Sequence, residues 1–231
     1  MSRVAPPEGL RTTMESPEDA TRIVVVRHGE GHVNVAGRIG GHEGCTGLTD
    51  RGREQAHAMA ARLTATGELA GATAVYSSIL GRAIETAEIL APSLGLDPSS
   101  VQCRCELCEL HPGEADGLTW EEYVERFDAP DFDLDPSGVF APGGESWNTF
   151  VDRSTAGVTA VADAHPGDLV VIATHAGVIE SLMLRHLAGS PTGGPHRRLR
   201  LQTRHLSLTE WEVADGIWRL QRYNDAVTTG F

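Results

Sequence analysis

The feature that most constrains the fold of this chain is an apolar run, Ile23–Val26, which ends abruptly in Arg27, His28 and Gly29. Four consecutive β-branched residues are typical of a strand that is buried on both faces of a sheet. Burial of this strand leaves Arg27 and His28 at its carboxyl end, which is where open α/β sheets bind ligands. A histidine beside an arginine suits a phosphoryl group, but two polar residues of a surface loop would give the same pattern.

Three more predicted strands also lead to polar residues. They span Leu169–Thr174, Ala72–Tyr76 and Val101–Leu107, and they are followed by His175, Arg82 and Glu109, respectively. Because the carboxyl ends of parallel strands meet at one edge of a sheet, these residues are expected to gather around His28. Cations for the phosphoryl oxygens, a histidine nucleophile and a carboxylic acid meet the needs of phosphate ester chemistry without a metal.

The predicted strands alternate with helices, which begin near Thr49, at a capping pair Ser77–Ser78, at Ser146 and at Ala176. The chain then ends in a predicted antiparallel hairpin, Leu206–Val213 and Ile217–Tyr223. This alternation predicts a single α/β domain over residues 21–231, after a flexible tail over residues 1–20. Residues 111–147 are rich in proline, acidic and aromatic residues, which predicts a lid-like insertion.

The amino-acid composition narrows the classes of molecule that the protein is expected to bind. The formal net charge of −13 argues against a broad surface for nucleic acid or anionic membranes. The chain has no lysine, which excludes Schiff-base chemistry but leaves arginine donors that suit phosphate. No stretch approaches about 18 consecutive apolar residues, and residues 1–20 lack the apolar core of a signal peptide. The protein is therefore expected in the cytoplasm, with its four cysteines reduced.

Further motifs follow in a fixed order. They are Arg27–Glu30 with Asn34, Gly37–Ile39, Thr46–Gly52, Ser77–Ala83 with Thr86–Ala87, Leu107–Glu109 with Gly113 and Asp116–Leu118, Gly143–Ser146, and Thr174–Gly177. Over about residues 21–225 this set resembles the histidine phosphatase superfamily, also called the phosphoglycerate mutase-like family, on its phosphatase branch. The resemblance implies a three-layer α/β/α sandwich with a mostly parallel central sheet. The chain departs from the family pattern at Ala115 and Asp116, which stand where tryptophan and glutamate are usual.

The resemblance also implies roles for the site residues. His28 attacks phosphorus and becomes a phosphohistidine, and Glu109 acts first as a general acid and then as a general base. The implied substrate-binding residues are Arg27, Asn34, Thr46, Gly47, Arg82, His175 and Ala176. His28 must be neutral to attack, and two neighbouring arginines are expected to lower its pKa from about 6.5.

Several alternatives stay open beside these roles. Glu106 and Glu114 are close enough in the chain to replace Glu109 as the acid. A zinc site is disfavoured because its four candidate ligands are compactly spaced and two of them would share a strand face; they are Cys103, Cys105, Cys108 and His111. Buried core thiols are the preferred interpretation. The acidic segment 128–135 lacks the glycine and closing glutamate of a calcium loop, so no metal and no cofactor are predicted.

The predicted function is that of a metal-independent phosphomonoesterase acting on a small phosphorylated metabolite. A phosphoglycerate mutase is the alternative within the family, and a non-catalytic phospho-ligand-binding module is the alternative outside it. Aromatic residues between Trp120 and Trp147 are the candidates for contact with the substrate. No nucleic-acid or membrane partner is expected, and the oligomeric state stays open, with a homodimer as one possibility.

Overall fold

A computed structural model describes residue 17, residues 19–187 and residues 201–227, and most of the predicted tail over residues 1–20 lies outside this part. Within it, one sheet of six strands has the order β3-β2-β4-β1-β5-β6. The strands are β1 Thr21–Arg27, β2 Ala72–Ser77, β3 Gln102–Cys103, β4 Leu169–Thr174, β5 Leu208–Ala214 and β6 Ile217–Asp225. The first four are mutually parallel, whereas β5 and β6 form an antiparallel pair. The mostly parallel sheet with a C-terminal hairpin is thus as predicted.

The strand β1 occupies the interior position that its apolar run predicts. It pairs in parallel with β4 and antiparallel with β5, so that Val25 lies between Ile172 and Thr209. All four residues of Ile23–Val26 are fully buried. Side chains alternate between the faces of a strand, and Val25 accordingly joins one hydrophobic core while Val24 joins the other.

Helices cover both faces of the sheet and complete the three layers. Helices α2 Asp50–Thr66 and α3 Gly81–Leu90 pack on the face of Val24, and helices α5 Trp147–Ala164 and α6 Ala176–Leu187 pack on the face of Val25. Two short helices, α1 His32–Val35 and α4 Trp120–Arg126, lie in the connections. In the described residues, no helix combines the length and the apolar character that a membrane span requires.

The predicted strand Val101–Leu107 is wrong over most of its length. Strand pairing covers only Gln102–Cys103, and a 3₁₀ turn follows over Cys105–Leu107. The guanidinium of Arg153, from α5, donates to the carbonyl oxygens of Cys105, Glu106 and Cys108 and so holds the chain in this turn. Cys103 and Cys105 therefore do not share a strand face, and that reason for disfavouring zinc is lost.

The predicted capping role of the Ser77–Ser78 pair is also wrong. Helix α3 begins later, at Gly81, and its N-cap position is Leu80. Ser78 does accept a hydrogen bond from the Leu80 amide at 3.3 Å, but its hydroxyl also contacts His175. Its position is therefore better explained by the site at the strand ends than by the helix.

Residues 111–147 fold over the carboxyl edge of the sheet with a small core of their own. The rings of Tyr123 and Phe140 stack with centroids 4.3 Å apart, and Ile39 and Ala141 are buried in the same cluster. The segment therefore packs on the loop that follows β1. Movement of this segment as a lid stays a prediction.

Candidate active site

Three of the predicted residues meet at the carboxyl edge of the sheet. His28 follows β1, His175 follows β4, and Arg82 is the second residue of α3, just beyond the end of β2. The imidazole centroids of His28 and His175 lie 5.0 Å apart, and Arg82 Nε lies 3.1 Å from His28 Nε2. All three side chains are buried. The parallel strands thus bring together residues that are far apart in the chain.

Hydrogen bonding defines the tautomer of His28. Its Nδ1 lies 2.6 Å from the carbonyl oxygen of Gly29, which can only accept, so the ring proton resides on Nδ1. The lone pair is therefore on Nε2, where it accepts from Arg82 Nε. Burial and, after it, the charge of Arg82 lower the pKa of His28 well below its ordinary value, which keeps the ring neutral and nucleophilic.

His175 is held from one side only. Its Nε2 lies 2.7 Å from the Ser78 hydroxyl, whereas its Nδ1 is buried without a hydrogen-bond partner among the described residues. Burial, Arg82 and His28 lower the pKa of His175 well below its ordinary value, so this ring is also neutral. A neutral imidazole with a free Nδ1 can donate one hydrogen bond to a ligand.

Two arginine nitrogens near His28 share this lack of a partner. Arg27 Nε and Arg82 Nη1 are buried with no hydrogen bond to the described part of the protein. Arg27 is fixed in place by its Nη1, which donates to the carbonyl of Thr203. A buried donor without a partner costs about 1–3 kcal/mol. Together with His175 Nδ1, these nitrogens provide three donors that an oxyanion would satisfy.

Glu109 contributes a carboxyl group to the same site. Its Oε2 accepts from the amide of Gly177 at 3.1 Å, and its Oε1 accepts from the amide of Leu110 at 3.2 Å. It lines one cavity with Arg27, His28 and Arg82. The two alternative acids, Glu106 and Glu114, are exposed and do not line this cavity. The geometry therefore favours Glu109 for the acid position.

This cavity, of about 450 Å³, receives most but not all of the predicted binding residues. Asn34 and Ala176 line it, with Asn34 Oδ1 accepting from the amide of Gly31. Thr46 is exposed outside it. Gly47 is buried beside Gly81, with a φ of +90° that favours glycine, and lies behind the site rather than in its lining.

Aromatic side chains form the outer wall of the catalytic cavity. Trp120, Phe132, Phe140 and Trp147 line it, as expected from the sequence, whereas Tyr123 and Phe127 belong to the small core of residues 111–147. The end of the cavity beside His28 is therefore polar and cationic, and the opposite end is apolar.

His205 is a neighbour of the site that the sequence did not reveal. Its ring centroid lies 5.7 Å from that of His28, and burial together with Arg27 and Arg51 lowers its pKa to about 4. It lines a second cavity, which shares Arg27 and Ala176 with the catalytic one. Its position follows from the antiparallel pairing of β5 with β1, which places the residues just before β5 beside the end of β1.

A separate cluster could hold a metal. It comprises His42, Cys105, Cys108 and His111, none of which lines the catalytic cavity. Cys103 is exposed and is not a member. Of the thiols expected in the core, Cys108 is buried, but Cys105 is only half-buried. The expectation of core thiols therefore holds for Cys108 and fails for the other two.

Comparisons with known proteins agree with this geometry. The sequence is 34% identical over 215 residues to phosphoglycerate mutase-like protein 4 of Arabidopsis thaliana, covering 90% of this chain and 86% of that protein. It is 37% identical over 182 residues to a metal-independent phosphoserine phosphatase of the same plant, covering 76% and 72% of the two chains.

Solved structures give the same result at the level of the fold. The structure of YhfR from Bacillus stearothermophilus matches with a TM-score of 0.74 at 29% identity, over 90% of this chain and 98% of the other. A mycobacterial glucosyl-3-phosphoglycerate phosphatase matches with a TM-score of 0.71 at 28% identity, over 89% and 99%. The profile of the histidine phosphatase superfamily (branch 1) matches residues 23–226. With two buried histidines and two arginines at one sheet edge and a family match over nearly the whole described domain, the chain belongs to the histidine phosphatase superfamily.

Proposed function

We propose that the protein hydrolyses phosphomonoesters of small metabolites and that the phosphoryl group passes through His28. One observation supports this most directly: three buried nitrogens around the neutral ring of His28 lack partners in the described part of the chain, namely Arg27 Nε, Arg82 Nη1 and His175 Nδ1. A phosphoryl group would satisfy them, and its oxygens gain charge stabilisation as the transfer proceeds.

The first step forms a bond between His28 Nε2 and phosphorus as the bond from phosphorus to the ester oxygen breaks. In the free protein the Nε2 lone pair accepts from Arg82 Nε, so Arg82 must transfer its hydrogen bond to a phosphoryl oxygen for attack to occur. The Nδ1–H of His28 remains bonded to Gly29, which stabilises the positive charge that the ring acquires.

Glu109 completes the cycle at the same cavity. Its protonated carboxyl group gives its proton to the departing alkoxide, and the resulting carboxylate then removes a proton from water. That water attacks the phosphohistidine, which restores neutral His28 and yields inorganic phosphate. The amide of Gly177 holds the carboxyl group during both steps. No step requires a metal, because the two arginines supply positive charge to the phosphoryl oxygens and His175 supplies a hydrogen bond.

The apolar wall suggests the kind of leaving group. Among the described residues that line the cavity, Arg38 is the third cationic side chain, after Arg27 and Arg82. Its guanidinium donates to the Gly117 carbonyl at 2.7 Å and lies 3.9 Å from the Glu122 carboxylate. A carboxylate such as that of phosphoglycerate would therefore compete with Glu122 for Arg38. An alcohol with a ring or an apolar face fits better against Trp120 and Phe140, which favours a phosphatase over a mutase.

A hydrolysis screen tests this function. Aryl phosphates, sugar phosphates, nucleotides and phosphorylated amino acids are incubated with the protein, and released inorganic phosphate is measured. His28→Ala should lose at least about four orders of magnitude in kcat, as loss of a catalytic nucleophile does. The control His32→Ala changes an exposed histidine of α1 and should retain wild-type turnover. Near wild-type activity in His28→Ala would overturn the assignment of the nucleophile.

Two further measurements separate the alternatives. With 3-phosphoglycerate and a bisphosphoglycerate primer, a mutase yields the isomeric phosphoglycerate, whereas the proposed enzyme releases inorganic phosphate. A non-catalytic binding module would turn over none of the esters. The proposal also includes a cytoplasmic location and no nucleic-acid or membrane partner, and light scattering would show whether the protein forms a homodimer.

A further inference from the structure

A second group of chemically reactive side chains lies beside the loop that carries Glu109. The ligand atoms of His42, Cys105, Cys108 and His111 all lie within 4.8 Å of one another. Cys105 Sγ is 3.6 Å from His42 Nε2 and 3.5 Å from His111 Nε2. Two thiols and two imidazoles in such proximity are a donor set typical of structural zinc sites.

Two sulfur-to-nitrogen separations in the cluster fit a tetrahedral ion, and the wider separations, of up to 4.8 Å, would shorten when the ion binds. Zn–S bonds of about 2.3 Å and Zn–N bonds of about 2.0–2.1 Å at tetrahedral angles place sulfur and nitrogen about 3.6 Å apart. Both measured sulfur-to-nitrogen distances agree with this value. We propose that His42, Cys105, Cys108 and His111 bind one structural Zn²⁺ ion, away from the catalytic cavity.

The surroundings of His111 support a ligand role. Its Nε2 faces Cys105, while its Nδ1 lies 3.8 Å from Glu145 Oε2, which also accepts from the His111 amide at 2.9 Å. Glu145 is itself held by Arg153 at 2.7 Å. Metal-bound histidines usually present their second nitrogen to a carboxylate, which fixes the orientation of the ring.

The loop that carries His42 is fixed by Asp116. The carboxylate of Asp116 accepts from the amides of Gly41 at 2.7 Å, Glu43 at 2.8 Å and Gly44 at 3.1 Å, so the backbone is held on both sides of His42. This is the residue at which the chain departs from its family's usual glutamate. The aspartate thus holds the fourth ligand in place before any ion binds.

The two thiols come from one turn. Cys105 is the first residue of the 3₁₀ turn Cys105–Leu107, and Cys108 directly follows this turn. The Cys108 amide donates to the Cys105 carbonyl at 2.9 Å. Zn²⁺ binding displaces both thiol protons into solvent, so that two thiolates balance the charge of the ion. Because Cys108 directly precedes Glu109, the bound ion would stabilise the loop that presents the acid, while taking no part in phosphoryl transfer.

Metal analysis of the whole protein tests this site. The protein is purified under reducing, anaerobic conditions, incubated with ZnCl₂, desalted and analysed by mass spectrometry of the metal. We expect about one Zn²⁺ per chain. His42→Ala, which changes an exposed loop residue, and Cys105→Ser should each retain less than about a tenth of that content. The matched controls His32→Ala and Cys103→Ser change exposed residues outside the cluster and should retain full zinc content.

Cobalt provides a readout that does not depend on the folding of any variant. Wild-type protein loaded with Co²⁺ should show the visible bands of a tetrahedral ion and a near-ultraviolet thiolate-to-cobalt band. Two results would overturn the proposal: wild-type protein that retains no Zn²⁺, or controls that lose it as fully as His42→Ala. Since phosphatase turnover is assayed separately, failure here leaves the proposed function intact.

Discussion

The hydroxyl of Ser78 is expected to determine which nitrogen of His175 carries the proton. Ser78 Oγ accepts from the Leu80 amide and lies 2.7 Å from His175 Nε2. We expect Ser78 to donate its own proton to Nε2, which places the imidazole proton on Nδ1, an atom with no partner among the described residues. Because loss of one such bond costs about 1 kcal/mol or slightly more, Ser78→Ala should lower kcat on an aryl phosphate about tenfold.

Ser77→Ala is the matched control for this prediction. Ser77 is equally buried, but its hydroxyl donates to the Ser78 carbonyl at 2.7 Å rather than to a histidine. Its kcat should stay within about a factor of two of wild type. If both serine variants lost the same activity, the effect would reflect packing at the strand end and not the tautomer of His175.

At Gly177 the absence of a side chain protects the position of the acid. A Cβ atom there would overlap Glu109 Oε1 and lie 3.0 Å from Phe150. Gly177→Ala should therefore displace the carboxyl group and lower kcat about 100-fold for alkyl phosphates, whose leaving groups need a proton. The loss should be much smaller for p-nitrophenyl phosphate, whose leaving group departs as a stable anion. Gly81→Ala, with no neighbour closer than 3.7 Å, serves as the control, and equal losses on both esters would contradict the assigned role.

At the scale of secondary-structure elements, uninterrupted apolar runs were informative, whereas the alternating pattern of residues 101–107 was not. The strands β1 and β4 could be predicted because an uninterrupted apolar run rich in β-branched residues has few other stable environments. Residues 101–107 alternate like a strand, yet they turn after Cys103. The cause is Arg153, about 50 residues later, whose hydrogen bonds to the turn no local pattern reveals.

The hydrogen bonds of Arg153 indicate that this residue contributes to the free energy of unfolding. Its guanidinium pairs with Glu145 and donates to the carbonyls of the acid loop, with both charged side chains mostly buried. Removing one partner of a buried pair leaves the other charge uncompensated, so Arg153→Met should lower the free energy of unfolding by about 3–5 kcal/mol. Urea denaturation measures this change. Arg185→Met, which breaks the exposed pair with Asp152, should cost less than about 1 kcal/mol; similar losses in the two variants would show that Arg153 adds little beyond a surface ion pair.

At the scale of the whole molecule, the site could be predicted where it depends on parallel strands. His28, Arg82 and His175 follow strands whose direction could be predicted, and the structure places them together. Glu109 reaches the same site through a 3₁₀ turn and not from the predicted strand Val101–Leu107. His205 was missed because its proximity depends on the pairing of β5 with β1, which links the two ends of the chain. The membership of His42 in the cluster around Cys105 was missed for the same reason, since His42 joins it from a distant loop.

The gathering of neutral histidines at one edge predicts how the whole fold responds to acid. Burial lowers the pKa of His28, His175 and His205 in the folded protein, whereas the unfolded chain titrates near pH 6.5. Below about pH 6.5 the unfolded state therefore binds more protons than the folded state, and stability falls as the pH falls. Each such histidine adds about 1.4 kcal/mol per pH unit to the slope once the unfolded form is fully protonated.

The variant His205→Gln tests the contribution of one of these histidines to the pH dependence of stability. Urea denaturation between pH 7 and pH 5 gives the free energy of unfolding as a function of pH. The slope of this plot should be smaller in the variant by the equivalent of one proton, because the variant has one fewer histidine to protonate on unfolding. Between pH 7.5 and pH 8.5 the stability curves of the two proteins should run parallel, since histidines are neutral in both states there. Equal slopes in the acidic range would mean that His205 binds its proton in the folded protein, and that burial together with Arg27 and Arg51 does not keep it neutral.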